Sequence, residues 1–254
     1  MLKYRVIPSL LIHHNKLVKT TQFKNPKYIG DPINAIHIFN EKEVDELLVL
    51  DISATSEKRE PNFKLIEEFA GECFMPLTYG GGIKTIDQAD RIFSYGVEKI
   101  CLQSEVIKNP EFISSLVKRF GSQSIVVSVD VKKNWLGRSK FFFAATKKIL
   151  QIDLFELIKN LVNAGAGEVL LNAVDKDGTL SGPDLEMIQK VSQLIKVPVI
   201  ALGGISSLAD IKAAINAGAS AVAAGAFFVY QGTHRAVLIT YPQYNELEKL
   251  FRKY

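Results

Sequence analysis

The nine residues Met-Pro-Leu-Thr-Tyr-Gly-Gly-Gly-Ile at 75–83 have a counterpart 122 positions later, Val-Pro-Val-Ile-Ala-Leu-Gly-Gly-Ile at 197–205. In both stretches a proline precedes an apolar run that ends in two glycines and an isoleucine. Near the start of the chain, an offset of 119 aligns Ser9-Leu10-Leu11 with Ser128-Val129-Asp130. A long internal period of this kind predicts two structural halves that face each other across a pseudo-twofold axis.

Apolar runs rich in β-branched residues recur around this repeat, as strands buried on both faces of a parallel sheet require. The predicted strands are Arg5–Leu11, Leu47–Ile52, Met75–Tyr79, Lys99–Gln103, Ile125–Val131, Val169–Ala173, Val197–Leu202 and Ala221–Ala224. Helical patterns lie between them, at Pro32–Lys42, Phe63–Ala70, Ile86–Tyr95, Pro110–Phe120, Asp153–Ala164, Asp184–Ile195 and Leu208–Ala217.

Eight strands that alternate with helices, without a linker rich in proline and glycine, predict an α/β fold: one (β/α)₈ TIM barrel over residues 1–254. We expect half-barrels at about 1–120 and 121–230 and a C-terminal helical segment at 231–254. Residues 133–152 depart from the alternation, and Lys140–Ala145 is predicted to belong to a hairpin inserted after the fifth strand.

The composition narrows the class of protein. The chain is 47% hydrophobic and 23% charged with a net charge of +4, and its basic residues form no run longer than two, so nucleic-acid binding is not expected. Cys73 and Cys101 lack metal-site spacing, which predicts a reducing cytoplasm and no structural zinc. No apolar run is long enough to span a membrane. The four histidines lack metal-ligand spacing and are interpreted as loop and surface residues, so neither a metal nor a cofactor is predicted.

The paired glycines stand where barrel enzymes place their chemistry, on loops at the carboxyl ends of strands. Without a side chain, backbone N–H groups can approach an anion closely, and a following helix N-terminus adds partial positive charge. The repeat therefore predicts two phosphate sites on opposite sides of one mouth, formed by Gly81, Gly82, Gln103 and Ser104 and by Gly203, Gly204, Gly225 and Ala226. The alternative is that these glycines only permit tight strand-to-helix turns.

From residue 1 to about residue 240 the chain resembles the cyclase subunit family of imidazole glycerol phosphate synthase. The motifs that carry the resemblance are Arg5-Val6-Ile7-Pro8, Gly30-Asp31-Pro32, Asp45-Glu46-Leu47, Leu50-Asp51-Ile52, Tyr79-Gly80-Gly81-Gly82-Ile83, Phe120-Gly121-Ser122-Gln123, Val129-Asp130 and Asp177-Gly178-Thr179. The resemblance implies a heterodimer in which a glutaminase docks on the N-terminal barrel face and releases ammonia into the barrel. The cyclase then joins ammonia to a bis-phosphorylated ribulosyl aminoimidazole intermediate, giving imidazole glycerol phosphate in histidine biosynthesis.

In that family two aspartates act as general acid and base, at the ends of strands one and five. Asp130 matches the second, but Leu11 stands at the first position and cannot transfer a proton. His13 and His14 follow Leu11 and are candidate substitutes.

The resemblance also assigns substrate or phosphate contacts. Lys19 is expected on a flexible first loop at Lys16–Gly30, and Asp51, Asp177 and Gly178 are further contacts. Three positions depart from the family pattern: Gln103 replaces asparagine, Asn172 replaces threonine and Leu202 replaces serine.

At the other end of the barrel, Arg5, Glu46, Lys99 and Glu168 stand at or just before the first residues of four strands. Equivalent strand positions share one height in a barrel, so these charges should form one neutralising layer. They match the salt-bridge gate through which the family admits ammonia, and Glu98 matches an acidic residue that contacts the glutaminase. A layer that merely stabilises the lower end of the barrel is the alternative.

Three functions follow from these observations. The first is a genuine cyclase, which Leu11 leaves without one acid. The second is a paralogue that binds a glutaminase and conducts ammonia to a third, ammonia-accepting synthetase, as in relatives that accompany amidotransferases of surface-polysaccharide sugar synthesis; Leu10-Leu11 and the stretch from Arg235 to Pro242 fit their pattern. The third, the related aminoimidazole carboxamide isomerase, also needs an acid on strand one. We predict the second, with weak or absent cyclase turnover.

Overall fold

The computed structural model describes residues 4–252, and within them the chain forms a closed barrel of eight parallel strands. The barrel strands are β1 (Arg5–His13), β4 (Leu47–Asp51), β5 (Leu77–Gly80), β6 (Lys99–Leu102), β7 (Ile125–Lys133), β10 (Glu168–Ala173), β11 (Val199–Leu202) and β12 (Ala221–Ala224). Strand β1 pairs with both β12 and β4, which closes the cylinder. The predicted (β/α)₈ TIM barrel is confirmed; residues 1–3 and 253–254 of the predicted domain lie outside the described residues.

Helices cover the outside of the barrel, and apolar side chains from both layers form the main core. They are α1 (Pro32–Glu41), α2 (Phe63–Glu72), α3 (Ile86–Ser94), α4 (Ser104–Lys108), α5 (Glu111–Phe120), α6 (Leu154–Asn163), α7 (Leu185–Leu194), α8 (Leu208–Asn216), α9 (Ala226–Val229) and α10 (Tyr244–Phe251). A second cluster fills the barrel interior with Ile7, Leu48, Cys101, Val126, Leu170, Ile200, Ala221 and Ala223.

The prolines of the two repeats explain why strands β5 and β11 begin later than predicted. The carbonyl groups of Pro76 and Pro198 accept hydrogen bonds from Leu47 N at 2.8 Å and Val169 N at 3.0 Å, respectively. Proline has no N–H with which to continue the ladder, so each regular strand starts after it. The two equivalent prolines therefore make equivalent contacts.

The stretch expected to form a flexible first loop, Lys16–Gly30, folds as a β-hairpin whose strand register shifts between Leu17 and Val18 and between Lys19 and Thr21. Strand β2 (Lys16–Thr21) pairs with β1 and with β3 (Lys24–Gly30), both in antiparallel fashion. Two-residue turns join the strands, and their central residues have positive φ, 49° and 61° at His14-Asn15 and 52° and 61° at Gln22-Phe23. Turns of this kind match the twist of the flanking strands. Gln22-Phe23 is an unusual sequence for such a turn, and the hairpin was missed for that reason.

The predicted hairpin after the fifth strand is confirmed. Strand β8 (Ser139–Phe143) pairs antiparallel with the extended end of β7, and β9 (Lys148–Ile149) adds a short third strand. A smaller hairpin of β13 (Tyr230–Gln231) and β14 (Ala236–Val237) follows α9. Within residues 4–252, no helix is long and apolar enough to cross a membrane.

Candidate functional site

A cavity of about 320 Å³ opens at the carboxyl ends of the barrel strands. Its lining includes ten of the predicted site residues: Lys19, Asp51, Gly81, Gly82, Gln103, Ser104, Asp130, Asn172, Asp177 and Gly225. The other four residues predicted to bind phosphate or substrate, Gly178, Gly203, Gly204 and Ala226, are not part of that lining. The cavity therefore reaches one of the two predicted phosphate sites fully and the other only at Gly225.

Asp130 lies at the base of this cavity, buried and held by two amides. Gln103 Nε2 donates to Asp130 Oδ2 at 2.6 Å, and Asn172 Nδ2 donates to Oδ1 at 3.1 Å. Burial raises the pKa of Asp130 to about 7, although hydrogen bonds from Gln103, Asn172 and Ser128 oppose the rise. A carboxyl group with that pKa can donate or accept a proton near neutral pH.

The opposite wall of the cavity is hydrocarbon where a second acid would stand. Leu11, Leu50 and Leu202 all line the cavity, and Leu11 comes from the strand opposite Asp130. Of the other lining carboxylates, Asp51 accepts three hydrogen bonds through Oδ1, from Ser53 N, Ser53 Oγ and Ala54 N, which shape the turn that follows β4. Asp177 is bound to Lys19. Neither of these two carboxylates is free to replace the missing acid, and Glu105, which also lines the cavity, comes from α4 and not from the strand opposite Asp130.

His13 is the nearest ionisable side chain to Leu11 on the same strand face, and it lines the cavity. Its Nδ1 is buried and has no hydrogen-bond partner among the described residues. Burial lowers the pKa of His13, and the neighbouring His14 lowers it further. The side chain is therefore neutral at pH 7, and the interpretation of all four histidines as loop and surface residues is wrong for His13.

Lys19 is buried in strand β2 rather than extended over an open mouth. Its Nζ lies 2.8 Å from Asp177 Oδ1, and Thr20 Oγ1 donates to Asp177 Oδ2 at 2.8 Å. Its aliphatic stem packs on Gly225, where an added Cβ would lie 3.1 Å from Lys19 Cε. The hairpin thereby covers Gly225, which belongs to the second predicted phosphate site.

The glycines are required by backbone packing in both repeats. A Cβ on Gly81 (φ 129°) would lie 2.5 Å from the carbonyl oxygen of Asp51. A Cβ on Gly203 (φ 107°) would lie 2.7 Å from the equivalent carbonyl oxygen of Ala173. The turn-forming alternative is therefore sufficient to explain these glycines, and the phosphate prediction needs support from other groups.

Three lysines that the sequence reasoning missed supply such support on one side only. Lys84, Lys108 and Lys147 line the same cavity as Gly81, Gly82 and Ser104, and their ammonium groups have no partner within residues 4–252. Lys84 directly follows the glycine motif, and Lys108 lies one helical turn after Ser104, so sequence spacing could have indicated both. The equivalent of Lys84 in the second half is Ser206.

At the N-terminal end of the barrel, Arg5, Glu46, Lys99 and Glu168 form a closed ring. Arg5 lies 2.5 Å from Glu46 and 3.0 Å from Glu168, and Lys99 lies 3.2 Å from each carboxylate. Burial alone would lower the pKa of Arg5, but the two carboxylates together raise it. The predicted layer is therefore present, with each charge contacted by two of opposite sign.

A small cavity of about 10 Å³ lies directly above this ring, at the lower limit for a single water molecule. Glu46 and Thr78 bound it together with apolar side chains of the barrel interior, Ile7, Leu48, Val126, Leu170 and Ile200. The interior between the ring and the upper cavity is thus apolar. Glu98, the predicted partner contact, is exposed just outside the ring.

Comparison with known proteins gives a consistent set of relatives. The family model described as "Histidine biosynthesis protein" matches residues 5–235. A Leptospira interrogans protein, provisionally named imidazole glycerol phosphate synthase subunit HisF, is 52% identical over 254 residues, covering 99% of this chain and 100% of the relative. A Pseudomonas aeruginosa protein, provisionally named subunit hisF2, is 50% identical over 98% of this chain and 99% of its own. The imidazole glycerol phosphate synthase subunit HisF of Streptococcus mutans is 39% identical over 82% and 83%.

Proposed function

Because the chain belongs to the histidine biosynthesis protein family, among relatives named imidazole glycerol phosphate synthase subunit HisF, we propose that it is a cyclase-type subunit with a reduced chemical role. It binds a glutaminase subunit on its N-terminal face and conducts ammonia through the barrel. Its own cyclase turnover is weak or absent. We place the heterodimer in the cytoplasm, because Cys73 and Cys101 are both free.

One observation carries this proposal: the charged ring is complete while the acid–base pair is not. Arg5, Glu46, Lys99 and Glu168 contact one another in full, whereas Leu11 lines the cavity where a proton donor would face Asp130. General acid–base catalysis typically contributes about 10²- to 10⁴-fold in rate. Loss of one member of the acid–base pair removes this rate enhancement, but it does not affect a path through the barrel for ammonia, a small neutral molecule.

Ammonia made by the glutaminase would enter through the ring and leave at the upper cavity, where a third, ammonia-accepting synthetase would consume it. A synthetase of acetamidino-type sugars for surface polysaccharides is our candidate acceptor. Names such as hisF2 and hisF3 for the Pseudomonas aeruginosa and Vibrio vulnificus relatives are compatible with a paralogue. The cavity would hold a phosphorylated small molecule against Gly81, Gly82 and Ser104.

The test combines the purified chain with its glutaminase subunit. We expect a stable heterodimer in size-exclusion chromatography and stimulation of glutamine hydrolysis, with Glu98→Lys weakening both. With ammonium salt and the ribulosyl aminoimidazole intermediate, we expect little or no imidazole glycerol phosphate. A chain that neither binds nor stimulates the glutaminase would contradict the proposal.

A genuine cyclase is the second candidate, and His13 favours it. A neutral imidazole whose Nδ1 has no partner can accept a proton, as the carboxylate of an aspartate at position 11 would. This alternative predicts ordinary turnover that His13→Gln abolishes. Under the main proposal, His13→Gln leaves the heterodimer and the stimulation of the glutaminase unchanged.

A further inference from the structure

Two hairpins, residues 16–30 and 131–150, contribute to the lining of the upper cavity, and a third, residues 230–238, contacts the loop beside the first. The three are here called the mouth hairpins. The rings of Phe23 and Phe142 join the first two at a centroid distance of 5.9 Å. Gln22 N donates to the Asp177 carbonyl oxygen at 2.9 Å, and Arg235 Nη1 donates to the next carbonyl, that of Gly178, at 3.2 Å. Through this loop the third hairpin is continuous with the first, so the three form one surface.

The mouth hairpins are strongly basic. They contain eleven of the chain's 31 lysines and arginines and none of its 27 aspartates and glutamates. The remainder of the chain therefore has a net charge of −7, although the whole has +4. Within residues 4–252, only Lys19 of the eleven forms an ion pair, so ten positive charges are available to a partner.

Large apolar side chains are also concentrated there. Nine large apolar side chains are exposed within residues 4–252, and five of them lie on the mouth hairpins: Tyr28, Trp135, Leu136, Val237 and Leu238. Trp135 is the only tryptophan of the chain and is 90% exposed at a hairpin tip. Tryptophan, tyrosine and arginine dominate the binding energy of protein interfaces, and a concentration of exposed apolar side chains marks an interaction site.

We infer that the mouth hairpins are the docking surface for the ammonia-accepting enzyme, and that this partner presents an acidic patch with an apolar centre. The inference rests on the proposed function, because ammonia that leaves the cavity is lost to solvent unless the acceptor covers the mouth. Lys19, Phe23 and Lys147 line the cavity and also belong to the hairpins. A partner seated on the hairpins would therefore close the cavity directly.

Two other classes of partner fit the surface less well. Nucleic acid uses basic and aromatic groups along a continuous groove, whereas Leu136, Val237 and Leu238 are aliphatic and the hairpins stand beside a cavity. An anionic membrane would accept the same side chains, but it would seal the mouth without an acceptor for ammonia. A protein partner uses the charges, the apolar tips and the cavity together.

The experiment measures binding of an ammonia-dependent synthetase of acetamidino-type sugars to the chain in complex with a glutaminase subunit. The test variants are Trp135→Ala and the pair Lys27→Glu with Arg138→Glu, which are exposed and lie outside the cavity lining. The matched control is Lys159→Glu with Lys212→Glu on the outer helices α6 and α8. We expect each test variant to raise Kd about tenfold or more, the control to leave it unchanged, and added salt to weaken binding steeply.

Equal binding by test and control variants, or no binding at all, would overturn the docking surface. Tighter binding to phosphatidylglycerol vesicles or to single-stranded DNA at the same ionic strength would overturn it too. Glutaminase stimulation and ammonia transfer are measured in the same samples. If binding depends on the hairpins but no ammonia is transferred, the docking surface is supported and the proposed function is contradicted. If ammonia is transferred but binding does not depend on the hairpins, the proposed function is supported and the docking surface is contradicted.

Discussion

At the N-terminal end of the barrel, two buried carboxylates and two partly buried cations neutralise one another. At the C-terminal end, Asp130 is held by amides and faces hydrocarbon. Each cation of the ring contacts two carboxylates, whereas the side chain of Asp130 accepts hydrogen bonds, among the described residues, only from Gln103, Asn172 and Ser128. The contrast teaches that a barrel can retain a charged passage after its acid–base pair is broken. The ring depends on charge balance, and the site above it depends on one proton-transferring group at one position.

Restoring the missing acid is the largest change we expect at the upper end. Leu11→Asp places a carboxylate across the cavity from Asp130, and we expect cyclase turnover to rise by about 10²- to 10⁴-fold. A second carboxylate there would also raise the pKa of Asp130 further, because like charges disfavour ionisation. The measurement is the steady-state rate with ammonium salt.

Leu11→Asn is the matched control for this change, because it has nearly the shape of aspartate but cannot transfer a proton. It should leave turnover at the level of the unmodified chain. Equal rates for the two variants would show that polarity or space, rather than proton transfer, limits the reaction.

Breaking the ring is the largest change at the lower end. Lys99→Ala leaves Glu46 and Glu168 with Arg5 alone, and removing one partner from a buried charge cluster typically costs about 3–5 kcal/mol. We expect a lower thermal midpoint and poorer coupling between glutamine hydrolysis and ammonia use, measured with the acceptor reaction. Lys159→Ala on an outer helix is the control. Unchanged coupling in a folded Lys99→Ala protein would contradict the passage.

The buried carboxyl group of Asp130 at the C-terminal end should make the free energy of unfolding depend on pH. Burial raises the pKa of Asp130 to about 7 from 3.8, so the folded chain keeps a proton that the unfolded chain loses. The free energy of unfolding should therefore fall as pH rises from about 4 to about 7. Asp130→Asn cannot ionise, so its stability relative to the unmodified chain should increase over this window, by on the order of 4 kcal/mol. Parallel stability curves for the two proteins would show that Asp130 ionises normally.

A smaller effect distinguishes the two sides of the mouth. Lys84 lines the cavity without a partner, whereas its counterpart in the second repeat is Ser206. We expect Lys84→Gln to weaken binding of inorganic phosphate about three- to tenfold, because one exposed charge contributes on the order of 1 kcal/mol. Titration calorimetry measures this loss, with Lys212→Gln as the control. Undiminished phosphate affinity would exclude Lys84 from the site.

The sequence predicted the barrel because eight apolar runs and a 122-residue repeat constrain the topology strongly. The sequence also placed Asp130, Gln103 and Asn172 at the carboxyl ends of neighbouring strands, and in the structure hydrogen bonds join them. It did not predict that Lys19 is buried against Asp177, because that contact links positions 158 apart and depends on a hairpin with an atypical turn.

Pairing between distant loops likewise explains why the cavity reaches the second predicted phosphate site only at Gly225. The repeat aligns the glycines of both halves, but it contains no information about the different contacts made by the two hairpins that follow β1 and β7. Residues 16–30 cover Gly225 through the stem of Lys19, and the nearest equivalent insertion, residues 131–150, contributes Lys147 to the other side. The contacts of these two hairpins therefore decide which of the repeated glycines border the cavity.

The steady-state production of imidazole glycerol phosphate by the purified, unmodified chain tests the central claim most directly. The assay supplies saturating ammonium salt and the ribulosyl aminoimidazole intermediate, so that neither the glutaminase nor the ring limits the rate. We predict turnover at least a hundredfold below that of Leu11→Asp measured beside it. Turnover by the unmodified chain equal to that of Leu11→Asp would contradict the loss of acid–base catalysis at position 11.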